Sequence, residues 1–203
     1  MPCVGIDLFA AAGNDWIAMV DRYSGYAWAA RLSSTATRQV LLHLEAWFTE
    51  FGWPLVIRSG NGPQFHSEFS FFCQAHGITH ELSSPYNPES NGLAEATVKN
   101  MKSLVLRCKS KGENFNHALA AWRNMVRQDG TSPAQLFFVR RQRLGLPMMP
   151  DLLVQSQTDP STRDSLHKER IKDRDAHTVC LPDFNVGDRV WMQHHATKKS
   201  GVS

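Results

Sequence analysis

The 203-residue sequence predicts an α/β fold: a mixed, five-stranded sheet flanked by helices, followed by an irregular C-terminal tail. Three observations lead there. Five short β-type runs occur, the first three joined by turns and the last two alternating with helical patterns, which is how antiparallel hairpins and parallel crossovers combine in one sheet. Hydrophobic residues make up 42% of the chain, enough for one domain with a sizeable core. Apolar periodicity fades after Pro150, so the core is expected to end before it.

The first run, Cys3 to Phe9, reads as a central strand with Val4 and Ile6 on one face and Gly5 and Asp7 on the other. Ala10 to Asn14 is expected to turn. Trp16–Val20 and Tyr26–Leu32 read as the next strands, joined as a hairpin by Asp21-Arg22-Tyr23-Ser24-Gly25. Asp15 and Asp21 suit turns better than ligand positions. Ser33 to Glu50 carries Val40, Leu41, Leu44, Trp47 and Phe48 at helical spacing, with Ser34 or Thr35 available as a cap, Gly52 at its end and Pro54 blocking continuation.

Leu55 to Ser59 is the fourth strand, expected parallel to the first, and ligands collect beyond the C-terminal ends of such strands. There Asp7 and position 60 would lie side by side. The turn Gly60-Asn61-Gly62-Pro63 contains two glycines that permit positive φ; a phosphate loop is not indicated, because no Gly-Lys-Ser/Thr follows. A short helix over Ser67–His76 buries Phe69, Phe72 and Cys73, and Ile78–Leu82 is the fifth strand. His76 and His80 straddle a change of element, so surface or capping roles suit them better than a metal pair. Ser83–Asn91 is a polar, proline-rich loop beside the site, with Asn91 able to cap the next helix, Gly92–Lys109. That helix has Ala94, Val98, Met101, Val105 and Cys108 as its apolar stripe, and Glu95, Lys99 and Lys102 share another face at i, i+4 and i+7. They form either a solvated ion-pair row or a phosphate-holding row beside a carboxylate. A helix over Phe115–Val126 is expected to bury Ala118, Leu119, Trp122 and Met125. The turn Asp129–Ser132 then caps a short helix opening at Pro133. Arg140, Arg141 and Arg143 could either touch nucleic acid or cap that helix.

The runs RSGNGPQFHSEFSFFC, GITHELSSPYNPESNGLAE and VGIDLF with VDRYSGYAWAARL resemble the catalytic core of retroviral and gypsy-type retrotransposon integrases over about Val4 to Pro147. The resemblance implies an RNase H-like fold and a catalytic trio of two aspartates and a glutamate. Asp7 matches the first and Glu95 the third. The second should follow Ser59, in a run like S-D-N-G-P-Q-F, where this chain has Gly60. The 34 residues between Gly60 and Glu95 are one fewer than in the retroviral pattern. The resemblance further implies 3′-end processing of the element DNA and strand transfer by in-line displacement at phosphorus. Two Mg²⁺ (or Mn²⁺) ions would be held by the carboxylates: Asp7 bridging, Glu95 on one ion, position 60 on the other. It makes Tyr86, Asn87, Asn91, Lys99 and Lys102 candidates for DNA contact, with element ends and target DNA as partners and a homodimer or higher oligomer as the assembly. Gly60 predicts a fold that persists while catalysis and metal binding weaken. The competing readings are a catalytically dead nucleic-acid-binding or self-associating module, and an RNase H-type nuclease, against which SSPYNPESNGLAE argues.

The expected organisation is a core over 3–147, a linker with a charged helical segment over 148–182, and the start of a small β-barrel over 183–203, of which one strand within Phe184–Met192 is expected. The His/His/Cys/Cys zinc domain of such integrases is not expected here. Net charge is +3, all of it before residue 151 (14 Lys/Arg against 11 Asp/Glu), which permits nucleic-acid binding without demanding it. Cys3, Cys73, Cys108 and Cys180 have no C-x-x-C spacing, so neither zinc nor a redox motif is indicated. No 18-residue apolar run or leader-like start suggests a membrane span or secretion, and a nuclear or cytoplasmic location is expected.

Overall fold

Strand β1 (Cys3–Ala11) is the axis of the domain. In the computed structural model, which describes residues 1–83, 92–127, 130–140, 142–145, 165, 191–194 and 199–202, it pairs antiparallel with β2 (Asn14–Asp21) and parallel with β4 (Val56–Ser59). β3 (Ala27–Leu32) extends the sheet beyond β2 and β5 (Thr79–Leu82) beyond β4, in the order β3-β2-β1-β4-β5. The expected mixed five-stranded sheet is therefore present, with β1 and β4 parallel.

The β1–β2 hairpin is tighter than expected. Ala11 pairs with Asn14, so only Ala12 and Gly13 turn, both at positive φ (56° and 81°), as a turn matched to strand twist requires. Asp15 consequently lies within β2, on its exposed side, and not in a turn. Asp21 does organise a turn: it is buried, and its Oδ2 accepts from Ser24 N (2.8 Å) and Ser24 Oγ (2.6 Å).

Alternation along β1 divides the interior. Val4 and Ile6 point to a core shared with Ile17, Met19, Trp28 and Ile57. There α1 (Thr37–Phe51) contributes Val40, Leu44 and Phe48, and α2 (Glu68–Ala75) contributes Phe69, Phe72 and Cys73. Phe9 and Ala11 point the other way, with Ala18, onto α3 (Gly92–Lys111) and α4 (Phe115–Asn124). Burying side chains this large contributes about 1.5–3 kcal/mol each.

Several boundaries differ from the sequence reading. Helix α1 begins at Thr37 behind Ala36, which takes the capping position and has no side-chain oxygen, so neither Ser34 nor Thr35 occupies it. Gly52 ends it at φ 97°, its N–H donating to Phe48 O. The buried stripe of α3 also contains Thr97 and Leu104, while Val98 is only partly buried. α4 stops at Asn124, and Met125 is exposed rather than buried, because its extended backbone (ψ 122°) turns it out of the helical stripe. Ser132 caps α5 (Pro133–Phe138) in a reciprocal capping box with Gln135.

The chain divides into two compact units, Met1–Thr158 and Asp159–Ser203. In the second, β6 (Trp191–His194) and β7 (Lys199–Val202) pair antiparallel. Of the strand expected within Phe184–Met192, only Trp191 and Met192, in β6, are among the described residues. The charged segment over 164–176 lies, except for Ser165, outside the described residues. No described helix is long and apolar enough to cross a membrane.

Candidate active site

Parallel pairing of β1 with β4 sets the site. Ile6 is level with Ser59, so Asp7 and Gly60 occupy the next rung, at the carboxyl end of β4. Asp7 belongs to the β1 face that carries Phe9 and Ala11 toward α3. Its carboxylate is half-buried and its Oδ1 accepts the Leu8 N–H at 2.8 Å. Burial pushes the Asp7 carboxyl above the ordinary aspartate range; the Leu8 N–H partly offsets this, and the negative charge of Glu95 adds to it. Glu95 lies in the first turn of α3.

Gly60 sits where the second carboxylate was sought. A Cβ built on it would lie 3.4 Å from Asp7 Oδ1, with no other atom beyond its neighbours within 4 Å. Its φ is outside the left-handed region, and Gly62 has φ −73°. The freedom these two glycines offer is not used for positive φ: the 3-10 turn Pro63–Phe65 needs only an extended residue before its proline. Position 60 has both the conformation and the space for an ordinary side chain, and its direction is toward Asp7.

Glu95, Lys99 and Lys102 are all exposed along α3, so the predicted row exists. Tyr86, Asn87 and Asn91 lie outside the described residues. His76 caps α2, its Nδ1 2.9 Å from Phe72 O, and stacks on Trp53 at 4.3 Å. His80 is not a surface group of that kind: its Nε2 is 2.8 Å from Oγ of the fully buried Ser59, immediately before Gly60. The sequence reading missed the Ser59–His80 contact beside the site. Period-two alternation places each on a face, but only the β4–β5 register, Ile57 level with His80, brings them together. Of the downstream arginines, Arg140 and Arg143 are exposed and Arg141 is outside the described residues.

Among the described residues, no three His, Cys, Asp or Glu side chains converge to hold a metal. By donor chemistry, Asp7 and Glu95 offer the carboxylate oxygens a hard divalent cation takes, while position 60 offers no side-chain oxygen, so the set does not suit a pair of ions.

A parallel β1–β4 pair with an acid at its carboxyl end, and a long helix packed on that face of β1 with a second acid in its first turn, give the mixed five-stranded, helix-flanked sheet of an RNase H-like fold. Comparison with known proteins refines this. The integrase core domain model matches residues 9–88. An uncharacterized protein of Caenorhabditis elegans is 31% identical over 195 residues, 91% of this chain and 15% of that protein. The Gag-Pro-Pol polyprotein of sheep pulmonary adenomatosis virus is 29% identical over 140 residues, 64% of this chain and 8% of the polyprotein. Among solved structures, the simian T-cell lymphotropic virus intasome matches with TM-score 0.60 and 24% identity, over 73% of this chain and 57% of that one. The HTLV-2 integrase catalytic core domain in complex with magnesium, in a trimeric form, matches with TM-score 0.55 and 21% identity, over 67% of this chain and 95% of that one. At these identities the structural matches speak for the fold. The chain carries an integrase core domain of the retroviral and retrotransposon kind. It spans only a small fraction of its curated relatives.

Proposed function

We propose that this chain is the integrase core of a retroelement, of the type that processes element DNA 3′ ends and transfers them to target DNA, with its chemistry impaired at position 60. The observation that carries the proposal is the 3.4 Å approach of a Cβ at position 60 to Asp7 Oδ1. A carboxylate there would stand beside Asp7, and glycine leaves the metal centre one anionic ligand short. Mg²⁺ or Mn²⁺, when bound, supplies Lewis-acid activation of the attacking and leaving oxygens. In this chain Asp7 and Glu95 would hold it. Asp7 is kept in place by the Leu8 N–H, and its partial burial strengthens its attraction for a cation. Lys99 and Lys102, one and two turns along α3 from Glu95, would neutralise DNA phosphates; Tyr86, Asn87 and Asn91 would contact the DNA from the preceding loop. DNA, a homodimer or higher oligomer, and a nuclear or cytoplasmic location complete the proposal.

The same missing carboxylate favours a second reading, a non-catalytic DNA-binding or self-associating module. A strand-transfer assay on a labelled DNA end with Mg²⁺ or Mn²⁺, beside a salt-dependent binding assay, separates the two. Activity restored only by Gly60→Asp supports the impaired integrase. Strong turnover with Gly60 in place refutes the impairment. Loss of all DNA binding at low salt refutes the binding module.

A further inference from the structure

The residue before position 60 is tied to the edge strand by a hydrogen-bond relay. Ser59 is fully buried, and its Oγ donates to the Gly60 carbonyl at 3.0 Å while lying 2.8 Å from His80 Nε2. A hydroxyl has one proton. Since Ser59 gives it to Gly60, the His80 Nε2 carries a proton and donates to Ser59. The Ser59 carbonyl in turn accepts from Ser83 N (2.8 Å) and Ser83 Oγ (2.9 Å). The His80 ring packs on Phe69 at 4.8 Å, and Phe69 on Phe65 at 5.4 Å, so the imidazole is held from behind. Burial and the neighbouring His66 keep it below the ordinary histidine range, so it is neutral at pH 7. The two peptide planes that meet at the Gly60 Cα are thus both fixed, one by Ser83 and the other by His80 through Ser59. Together they fix the direction in which a side chain at position 60 would leave the backbone. A free glycine would sample both signs of φ; this one stays where an L-residue fits.

We infer that His80 is a positioning residue for position 60, acting through the Ser59 hydroxyl to aim that position at Asp7. The inference rests on the integrase reading for its functional meaning, and its test has two arms so that the two can fail separately. In the first arm, two-bond ¹H–¹⁵N spectra of the unaltered chain show His80 protonated at Nε2. His80→Ala broadens or splits the Gly60 and Asn61 amide signals and speeds exchange of the Ser83 N–H, while His80→Gln, whose amide N–H replaces Nε2–H, restores them. In the second arm, Mn²⁺ binding is measured by calorimetry in the Gly60→Asp background. Loss of the His80 donor weakens affinity roughly 10-fold or more, as expected for a group that orients a metal ligand, and His80→Gln recovers most of it at an unchanged melting temperature. Ser59→Ala breaks the same relay and serves if His80→Ala does not fold. An Nδ1–H tautomer, unmoved Gly60 signals, or equal Mn²⁺ affinity with and without His80 overturns the inference. If Gly60→Asp takes up no Mn²⁺ at all, the metal-centre reading fails, and the spectra alone decide whether His80 holds position 60.

Discussion

Gly60→Asp should destabilise the metal-free protein and make its stability respond to divalent cations. The built Cβ lies 3.4 Å from Asp7 Oδ1, so the two carboxylate centres would stand about 5 Å apart. At that separation like charges repel by about 3 kcal/mol at an effective dielectric of 20 and about 1 kcal/mol with water-like screening. Replacing glycine at a compatible backbone conformation returns about 0.4–1 kcal/mol through the unfolded state. The net is a loss of about 0–3 kcal/mol, or roughly 0–12 °C in melting temperature for a domain of this size. Added Mg²⁺ or Mn²⁺ should reverse it, because an ion bound only by the folded state stabilises by mass action, about 2.7 kcal/mol at 100 times its Kd. The assay is thermal unfolding of the unaltered chain and Gly60→Asp, each with chelator and with 10 mM metal (about that concentration suffices for millimolar sites). Equal melting curves for Gly60→Asp with and without metal would refute the reasoning, since they would show that position 60 does not share an electrostatic centre with Asp7.

Four further outcomes are expected. Asp7→Asn should raise the melting temperature of the metal-free chain at pH 7. The Asp7 carboxyl is raised in the folded state, so its contribution to stability falls as pH climbs from the ordinary aspartate range through the raised value; melting curves between pH 4 and pH 8 should lose that slope in the variant. Lys99→Ala with Lys102→Ala should weaken duplex binding and make the slope of log K against log salt shallower by about 1.8, for two phosphate contacts, and an unchanged slope would reject their role. Phe48→Ala, at a fully buried position of the α1–sheet core, should cost about 3–5 kcal/mol by denaturant titration. Ser132→Ala should cost about 1 kcal/mol by the same measurement, through loss of the α5 capping box, and leave DNA binding untouched.

The sequence by itself determined the strands and helices, because period-two and period-3.6 patterns are local: five strands and the buried faces of α1 and α2 follow from residues within one window. It also pointed to Asp7, Gly60 and Glu95, through long motifs in a recognisable order. Where it went astray, local signals conflicted. Ala12–Gly13 turns in two residues because strand pairing extends to Ala11 and Asn14, and Met125 leaves its helix because α4 ends earlier than its apolar spacing suggests. Only the tertiary structure decided what surrounds position 60. That a Cβ at position 60 would lie 3.4 Å from Asp7 Oδ1, and that His80 supports Ser59, depend on the β1–β4 and β4–β5 registers. Register is set by burial of whole strand faces against α1, α2 and α3. No short stretch of sequence encodes it, because the side chains that approach this turn from β1 and β5, Asp7 and His80, lie 20 or more residues from position 60.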